Sequence, residues 1–169
     1  VACTADLSTQ PGAEAAVAAS LDAFGRIDAI LHNASTSPLP TTADEISSHD
    51  LDLVMRVNPY AGLWMTRAAW PHMKRQRYGR IVYTASHTVY GSERSAIYPA
   101  AKAANIGAMR SLAGEGASDG IFINVIFPSA RTRMTEKMPK SRYGDWLLAT
   151  MAPEKVSNGA AFLLSDQCS

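Results

Sequence analysis

The sequence predicts an α/β domain built on a parallel sheet, and two observations predict it. Short runs of small, apolar or β-branched residues fall at 1–6, 27–32, 80–85 and 121–127, and stretches with apolar residues at helical spacing separate them. Such alternation calls for parallel strands joined by crossover helices. Polar residues also stand where these runs end, at Asp6, Asn33 and Ser86. The carboxyl ends of strands are where open parallel sheets gather their ligands.

In chain order, Val1 to Asp6 reads as a buried strand with Asp6 at its carboxyl end. Ser8 or Thr9 then caps a helix that has Pro11 in its first turn. Val17, Leu21 and Phe24, at i, i+4 and i+7, mark its buried face, and Gly25 stops it. Ile27 to His32 is the next strand, leading into Asn33-Ala34-Ser35. Residues 36–44 are loop by their Pro and Thr content.

A long helix is expected from Ser48 to Arg75, with apolar residues on more than one face. Pro59 lies inside it; lacking an N–H and clashing one turn back, it should kink the helix and free a carbonyl near Met55 or Asn58. Lys74, Arg75, Arg77 and Arg80 read as a solvated cluster complementing the helix dipole. Arg80 to Ala85 is the strand that delivers Ser86.

The helix holding Tyr98 runs through Ile106, Met109 and Leu112 to Glu115-Gly116. Ile121 to Phe127 is a central buried strand ending at Pro128. Residues 129–150 are irregular or helical, with Arg131, Arg133, Lys137, Lys140 and Arg142 outnumbering Glu136 and Asp145. Pro153-Glu154 opens a last helix with Val156, Ala160 and Leu163 inward. With no repeat, low-complexity segment or linker, residues 1–169 form a single domain.

Tyr98 and Lys102 carry the chemistry. Their i,i+4 spacing puts both side chains on one helix face, one turn apart. An ammonium within a few ångströms favours a phenolate, which equips a tyrosine to act as general acid or base. Ser86, from the preceding strand end, is placed to hydrogen-bond the reacting oxygen. The adjacent His87 invites a serine-hydrolase reading, but neighbours on extended chain point to opposite faces, and no Gly-x-Ser-x-Gly elbow surrounds Ser86.

Composition bounds the alternatives. The 169 residues are 47% hydrophobic and 18% charged, as in an ordinary soluble globular protein. A net charge of +1 argues against a dedicated nucleic-acid binder or a polybasic membrane anchor. No apolar run reaches the ~20 residues that span a bilayer. Cys3 and Cys168 lack metal-like spacing and read as free thiols of a reducing, cytoplasmic setting. The first residue is Val, inside what reads as a strand, so the chain is expected to be processed or part of a longer one.

Together with their flanks, these residues resemble the short-chain dehydrogenase/reductase family. Asn58, Ser86, Tyr98 and Lys102 stand in the order of that family's catalytic tetrad. Asp28 to Ser35 resembles its strand ending in Asn-Asn-Ala-Gly, and Asn124 to Ser129, followed by Thr132, resembles its strand ending in Pro-Gly. Asp6-Leu7 matches the pair that lies against the cofactor's adenine. The resemblance implies a Rossmann-like, doubly wound parallel sheet, represented without its first βαβ unit or units.

By the same resemblance the reaction is reversible hydride transfer between NAD or NADP and a small-molecule alcohol or carbonyl. Tyr98 would exchange the proton, Ser86 would hold the substrate oxygen, and the Asn58 carbonyl would anchor a relay water. Lys102 would stabilise the Tyr98 phenolate and bind the nicotinamide ribose. Asp6, Leu7, Asn33, Ala34, Ser35, Pro128, Ser129 and Thr132 would complete the cofactor site, and no metal is implied. Copies would pair as a homodimer or homotetramer through helices 48–75 and 97–115. The tail from Met151 and the stretch 130–134 look similar to members acting on 3-hydroxyacyl thioesters, and the basic residues of 129–150 would suit an acidic substrate such as a coenzyme A thioester.

The sequence also departs from the pattern. His32 and Ser35 replace an Asn and a Gly, Ser129 replaces the Gly of Pro-Gly, Thr132 comes one position early, and the interval from Ser86 to Tyr98 is one residue short. No Gly-rich turn opens a helix, so these residues alone are expected to bind cofactor weakly. The strand at Val1 is expected to lack a sequence neighbour, and that at Ile27 to present an apolar edge. The rival reading is a non-catalytic relative that keeps the helices as an oligomerisation or binding module.

Overall fold

The computed structural model describes every residue except Met134, Met138, Pro139 and Ser169, with Lys137 placed by its backbone alone. Its sheet has three parallel strands in the order β1 (Ala29–His32), β2 (Gly79–Thr84), β3 (Ile121–Ile126). Ala29 lies opposite Arg80, and Gly79 opposite Ile121. Helix α1 (Gln10–Phe24) precedes β1. A broken helix, α2 (Ser48–Met55) and α3 (Ala61–Gln76), joins β1 to β2, and α4 (Ile97–Gly116) joins β2 to β3. Helices α5 (Arg142–Thr150) and α6 (Pro153–Leu163) follow. This is the Rossmann-like α/β architecture expected.

β2 is central, and all six of its residues are buried. Successive side chains alternate across a strand. Ile81 and Tyr83 join Val17, Ile30, Ala69, Met73, Ile121 and Ile123 in the core beneath α1 and α3. Arg80 points the other way, where the carbonyl of Ser165, just past α6, accepts from its Nε at 3.3 Å. Helical layers thus cover both faces of the sheet.

The local signals mostly act as expected. Thr9 caps α1 by accepting from the Gly12 N–H, Pro11 sits in its first turn, and Gly25 ends it at φ 70°. The loop 36–44 is irregular apart from a short 3₁₀ turn starting at Ala43, where Glu45 bonds back to the Thr42 N–H and hydroxyl. Ala160 is buried on α6 and Val156 and Leu163 are half-buried, as the last helix was expected to place them.

Four details differ. Residues 1–6 form no strand, and Val1 is 91% exposed. Among the described residues no strand lies beside them to complete a ladder. Instead Asp6 closes a turn, accepting from the Ser8 N–H at Oδ1 and from the Thr9 N–H at its carbonyl. Phe24, expected on the buried face, is exposed because it is the last residue of α1 and nothing described covers it. Arg80 is buried rather than solvated: it lies between the Tyr78 and Phe122 rings, 4.5 Å from each centroid, and donates to the Gly79 and Gly120 carbonyls. The aromatic faces and carbonyls replace the water it gives up. The long helix is not merely kinked. Residues Arg56–Tyr60 make a π-helical turn holding Pro59, which accommodates the missing N–H by widening the ladder.

Among the described residues β1 pairs only with β2 and so lies at a sheet edge, and its Leu31 is half-exposed.

Two glycines of α4 test the packing with opposite signs. A Cβ at Gly107 meets nothing within 4 Å, whereas one at Gly116 lies 2.6 Å from the Ile121 carbonyl oxygen. Gly107→Ala should stabilise by about 1 kcal/mol through helix propensity. Gly116→Ala should destabilise by about 1–3 kcal/mol through overpacking. Urea denaturation of the two variants measures both.

Candidate active site

The site is assembled where β1 and β2 end. Beyond Thr84 the chain leaves the sheet, so the Thr84 carbonyl is available to side chains. Lys102 Nζ donates to it at 3.0 Å and Asn105 Nδ2 at 3.2 Å. Lys102 and Asn105 stand three apart on α4, on one face of the helix. Both are buried, Lys102 to 1% exposure. The Lys102 ammonium lies 5.4 Å from the centre of the Tyr98 ring, within cation–π range. No carboxylate pairs with it among the described residues. Burial lowers its pKa from 10.5 to about 8.

A second cluster forms around the π-turn. Asn58 is fully buried; its amide donates to the Thr36 carbonyl at 3.0 Å and the Val54 carbonyl at 2.9 Å. Its side-chain oxygen accepts from the Ser35 hydroxyl at 2.8 Å. The Asn58 backbone carbonyl, expected to anchor a water, lies 2.6 Å from His32 Nε2. His32 is itself buried, and its pKa is lowered by burial and by the charge of Lys102, against the hydrogen bonds that the turn offers it.

The two clusters meet through consecutive residues. His32 reaches the π-turn, while Asn33 Oδ1 accepts from the Thr84 hydroxyl at 3.0 Å. Ser86 caps the short 3₁₀ turn His87–Tyr90, accepting from the Thr88 N–H and hydroxyl. His87 is exposed, and no hydrogen bond joins it to Ser86 among the described residues. The Tyr98 hydroxyl likewise has no partner among them, which leaves it available to a substrate.

The remaining expected residues take no part in these hydrogen bonds. Pro128 and Ser129 line a largely apolar cleft of about 660 Å³ between the end of β3, α5 and α6, with Tyr143, Trp146 and Lys155. None of Asn58, Ser86, Tyr98 or Lys102 lines it. The Thr132 N–H donates to Thr135 Oγ1 within a local turn, and Met134 of the stretch 130–134 lies outside the described residues. Asp6 is exposed, its pKa lowered by the hydrogen bonds from Ser8, and Leu7 beside it is half-buried. Ala34 is half-buried between Asn33 and Ser35.

Sequence reasoning missed Asn105, and it missed that His32 and Ser35 are ligands of Asn58. The Asn105 signal was present: a polar residue three positions after Lys102 on an alanine-rich face. His32 and Ser35 stood out only as departures from a pattern.

The chain belongs to the short-chain dehydrogenase family, whose model matches residues 1–142. Among its relatives, the mouse peroxisomal multifunctional enzyme type 2 is 38% identical over 157 residues, which are 92% of this chain and 20% of that protein. A short-chain type dehydrogenase/reductase of Mycobacterium tuberculosis is 33% identical over 96% of this chain and 55% of its own length. The peroxisomal hydratase-dehydrogenase-epimerase of Neurospora crassa is 37% identical over 96% of this chain and 18% of its own length. The chain therefore spans about half or less of these relatives. Two of them are named as peroxisomal, whereas the cysteines pointed to the cytoplasm. Among the described residues no helix is long and apolar enough to cross a membrane.

Two stability measurements follow. Displacing the Lys102 pKa from 10.5 to about 8 costs the fold roughly 3 kcal/mol at neutral pH. Lys102→Met, which keeps the volume and leaves Thr84 bonded to Asn105, should stabilise by about 1–3 kcal/mol at pH 7. The gain should shrink above pH 8 and vanish near 10.5, where the lysine is neutral folded or unfolded. His32, held below its ordinary 6.5, has the same sign. Its unfolded form binds the proton more readily, so the stability from the neutral imidazole is complete above about pH 6.5 and is lost as pH falls toward the folded-state value. Denaturation midpoints between pH 7 and 5 should fall less steeply in His32→Asn.

Proposed function

We propose that this chain carries the reaction centre of an NAD(P)-dependent oxidoreductase that interconverts a hydroxyl and a carbonyl, with Tyr98 as general acid/base. One observation carries the reading: Lys102 is buried beneath the Tyr98 ring with no carboxylate beside it among the described residues. That arrangement works against stability, and a packing module gains nothing from it. Costly buried charge of this kind clusters at functional sites.

The residues present fit the nicotinamide side of a cofactor. Lys102 has three N–H bonds and gives one to Thr84, leaving two for ribose hydroxyls; Asn33 stands exposed at the end of β1. Thr132, with the backbone near Pro128, would meet the carboxamide, and Ser129 would lie beside them. Ala34 and Ser35 would shape the wall beside Asn33, and Asp6 with Leu7 would lie toward the adenine. The nicotinamide supplies the hydride acceptor or donor when bound.

The chain's own residues handle the proton. Tyr98 takes it from the substrate hydroxyl in oxidation and returns it in reduction. Lys102 favours the phenolate as that happens, and the Ser86 hydroxyl donates to the substrate oxygen. Asn58 keeps the π-turn closed through Ser35, Thr36 and Val54.

For substrate we propose a 3-hydroxyacyl thioester. Support comes from relatives whose names join a hydratase to a dehydrogenase, since hydration of a double bond makes the hydroxyl that dehydrogenation consumes. Exposed Arg131, Arg133, Lys140 and Arg142 suit the phosphates of coenzyme A. Copies pair through α2–α3 and α4 in this reading, and half-exposed Leu51, Leu53, Tyr60 and Leu63 supply apolar surface for it.

Tyr98→Phe should lower the turnover of a 3-hydroxyacyl thioester with NAD or NADP by about 10²-fold or more, with unchanged assembly by size-exclusion chromatography. A parent protein that assembles but turns over no alcohol or carbonyl would favour the non-catalytic module instead.

A further inference from the structure

The π-turn at Arg56–Tyr60 is built around the His32 ring. Asn58 O meets Nε2 at 2.6 Å. A carbonyl only accepts, so Nε2 carries the proton. The ring is wedged under the start of α3: a Cβ at Gly62 would lie 2.8 Å from His32 Cδ2 and 2.6 Å from Tyr83 Cε1. Gly62 stands one turn after Asn58, so the helix has a gap in its surface where the ring enters. Tyr83 backs the imidazole edge-on, with centroids 6.2 Å apart. Its hydroxyl is held 2.6 Å from Thr66 Oγ1. An imidazole locked in one tautomer, in one orientation, against a carbonyl set by a π-turn is a constructed contact.

The neighbours say what it positions. Asn33, the next residue, holds the Thr84 hydroxyl, and the Thr84 carbonyl holds Lys102. The end of β1 therefore grips both the π-turn and the anchor of the ammonium. We propose that His32 is a positioning residue: through Nε2–H and the Asn58 carbonyl it sets the π-turn against α4 and so holds the face carrying Tyr98 and Lys102 at the strand end where Thr84 receives the ammonium. This rests on the oxidoreductase reading for its effect on turnover, but not for its geometry.

The test has a spectroscopic arm and a kinetic arm. Nitrogen-15 NMR of the unsubstituted protein at pH 7 should show His32 neutral with the proton on Nε2; a proton on Nδ1 overturns the proposal whether or not any variant folds. In kinetics, His32→Leu should lose about tenfold or more in kcat with KM little changed, and His32→Gln, whose amide keeps an N–H for the carbonyl, should recover most of it. Equal kcat in the parent and a folded His32→Leu overturns it. The Lys102 ammonium titration should move upward in His32→Leu as water enters, and stay in place in His32→Gln. That readout persists in a protein without turnover, so failure of the oxidoreductase reading is distinguishable from failure of this one. An unmoved titration in His32→Leu counts against the proposal.

Discussion

The Thr84 carbonyl, at the last position of the central strand, accepts from Lys102 and Asn105 of α4 and so ties that helix to the sheet at the candidate site. The bond to Lys102 brings an ammonium out of water with no anion beside it among the described residues. Only a close, well-directed acceptor makes this tolerable, and the displaced pKa records the remaining cost. Core packing over β2, where every residue is buried, supplies the stability that offsets it. The site follows from that compromise: the helix must sit where the strand ends, and Tyr98 then overlies the charge.

The π-turn is the second constraint. Proline inside a helix leaves a carbonyl without its donor, and burying such a group unpaired is unfavourable. Here the ladder widens, and His32 and the Asn58 side chain take up what is freed or strained. His32 and Ser35, where the sequence departs from the family pattern, both bond Asn58.

Membership of the short-chain dehydrogenase family, with the three-stranded parallel sheet and helices on both faces, accounts for where these groups stand. The relatives show that this sequence pattern occurs inside longer proteins, of which this chain spans about a fifth in one and about half in another. Lys102 does not line the cleft beside Pro128 and Ser129, although Ile126 of its wall pairs with Thr84 across the sheet.

Local chemistry made much of this legible from the sequence. Apolar runs marked β1, β2 and β3; Thr9, Pro11 and Gly25 marked the ends of α1; and the spacing of Tyr98 and Lys102 put them on one face of α4. Periodicity, capping and turn preference act over a few residues, so they can be read one segment at a time. The strand at 1–6 did not form, because a strand exists only with a partner, and the burial of Arg80 depended on rings and carbonyls from other segments. The bonds from Lys102 to Thr84, from His32 to Asn58 and from Asn33 to Thr84 join residues 18, 26 and 51 positions apart. The sequence by itself determined where β1, β2, β3 and α1 lie and that Tyr98 and Lys102 share one face of α4. Only the tertiary structure decided what each buried polar group bonds to, since hydrogen bonds over such separations exist only once the sheet and its helices have closed.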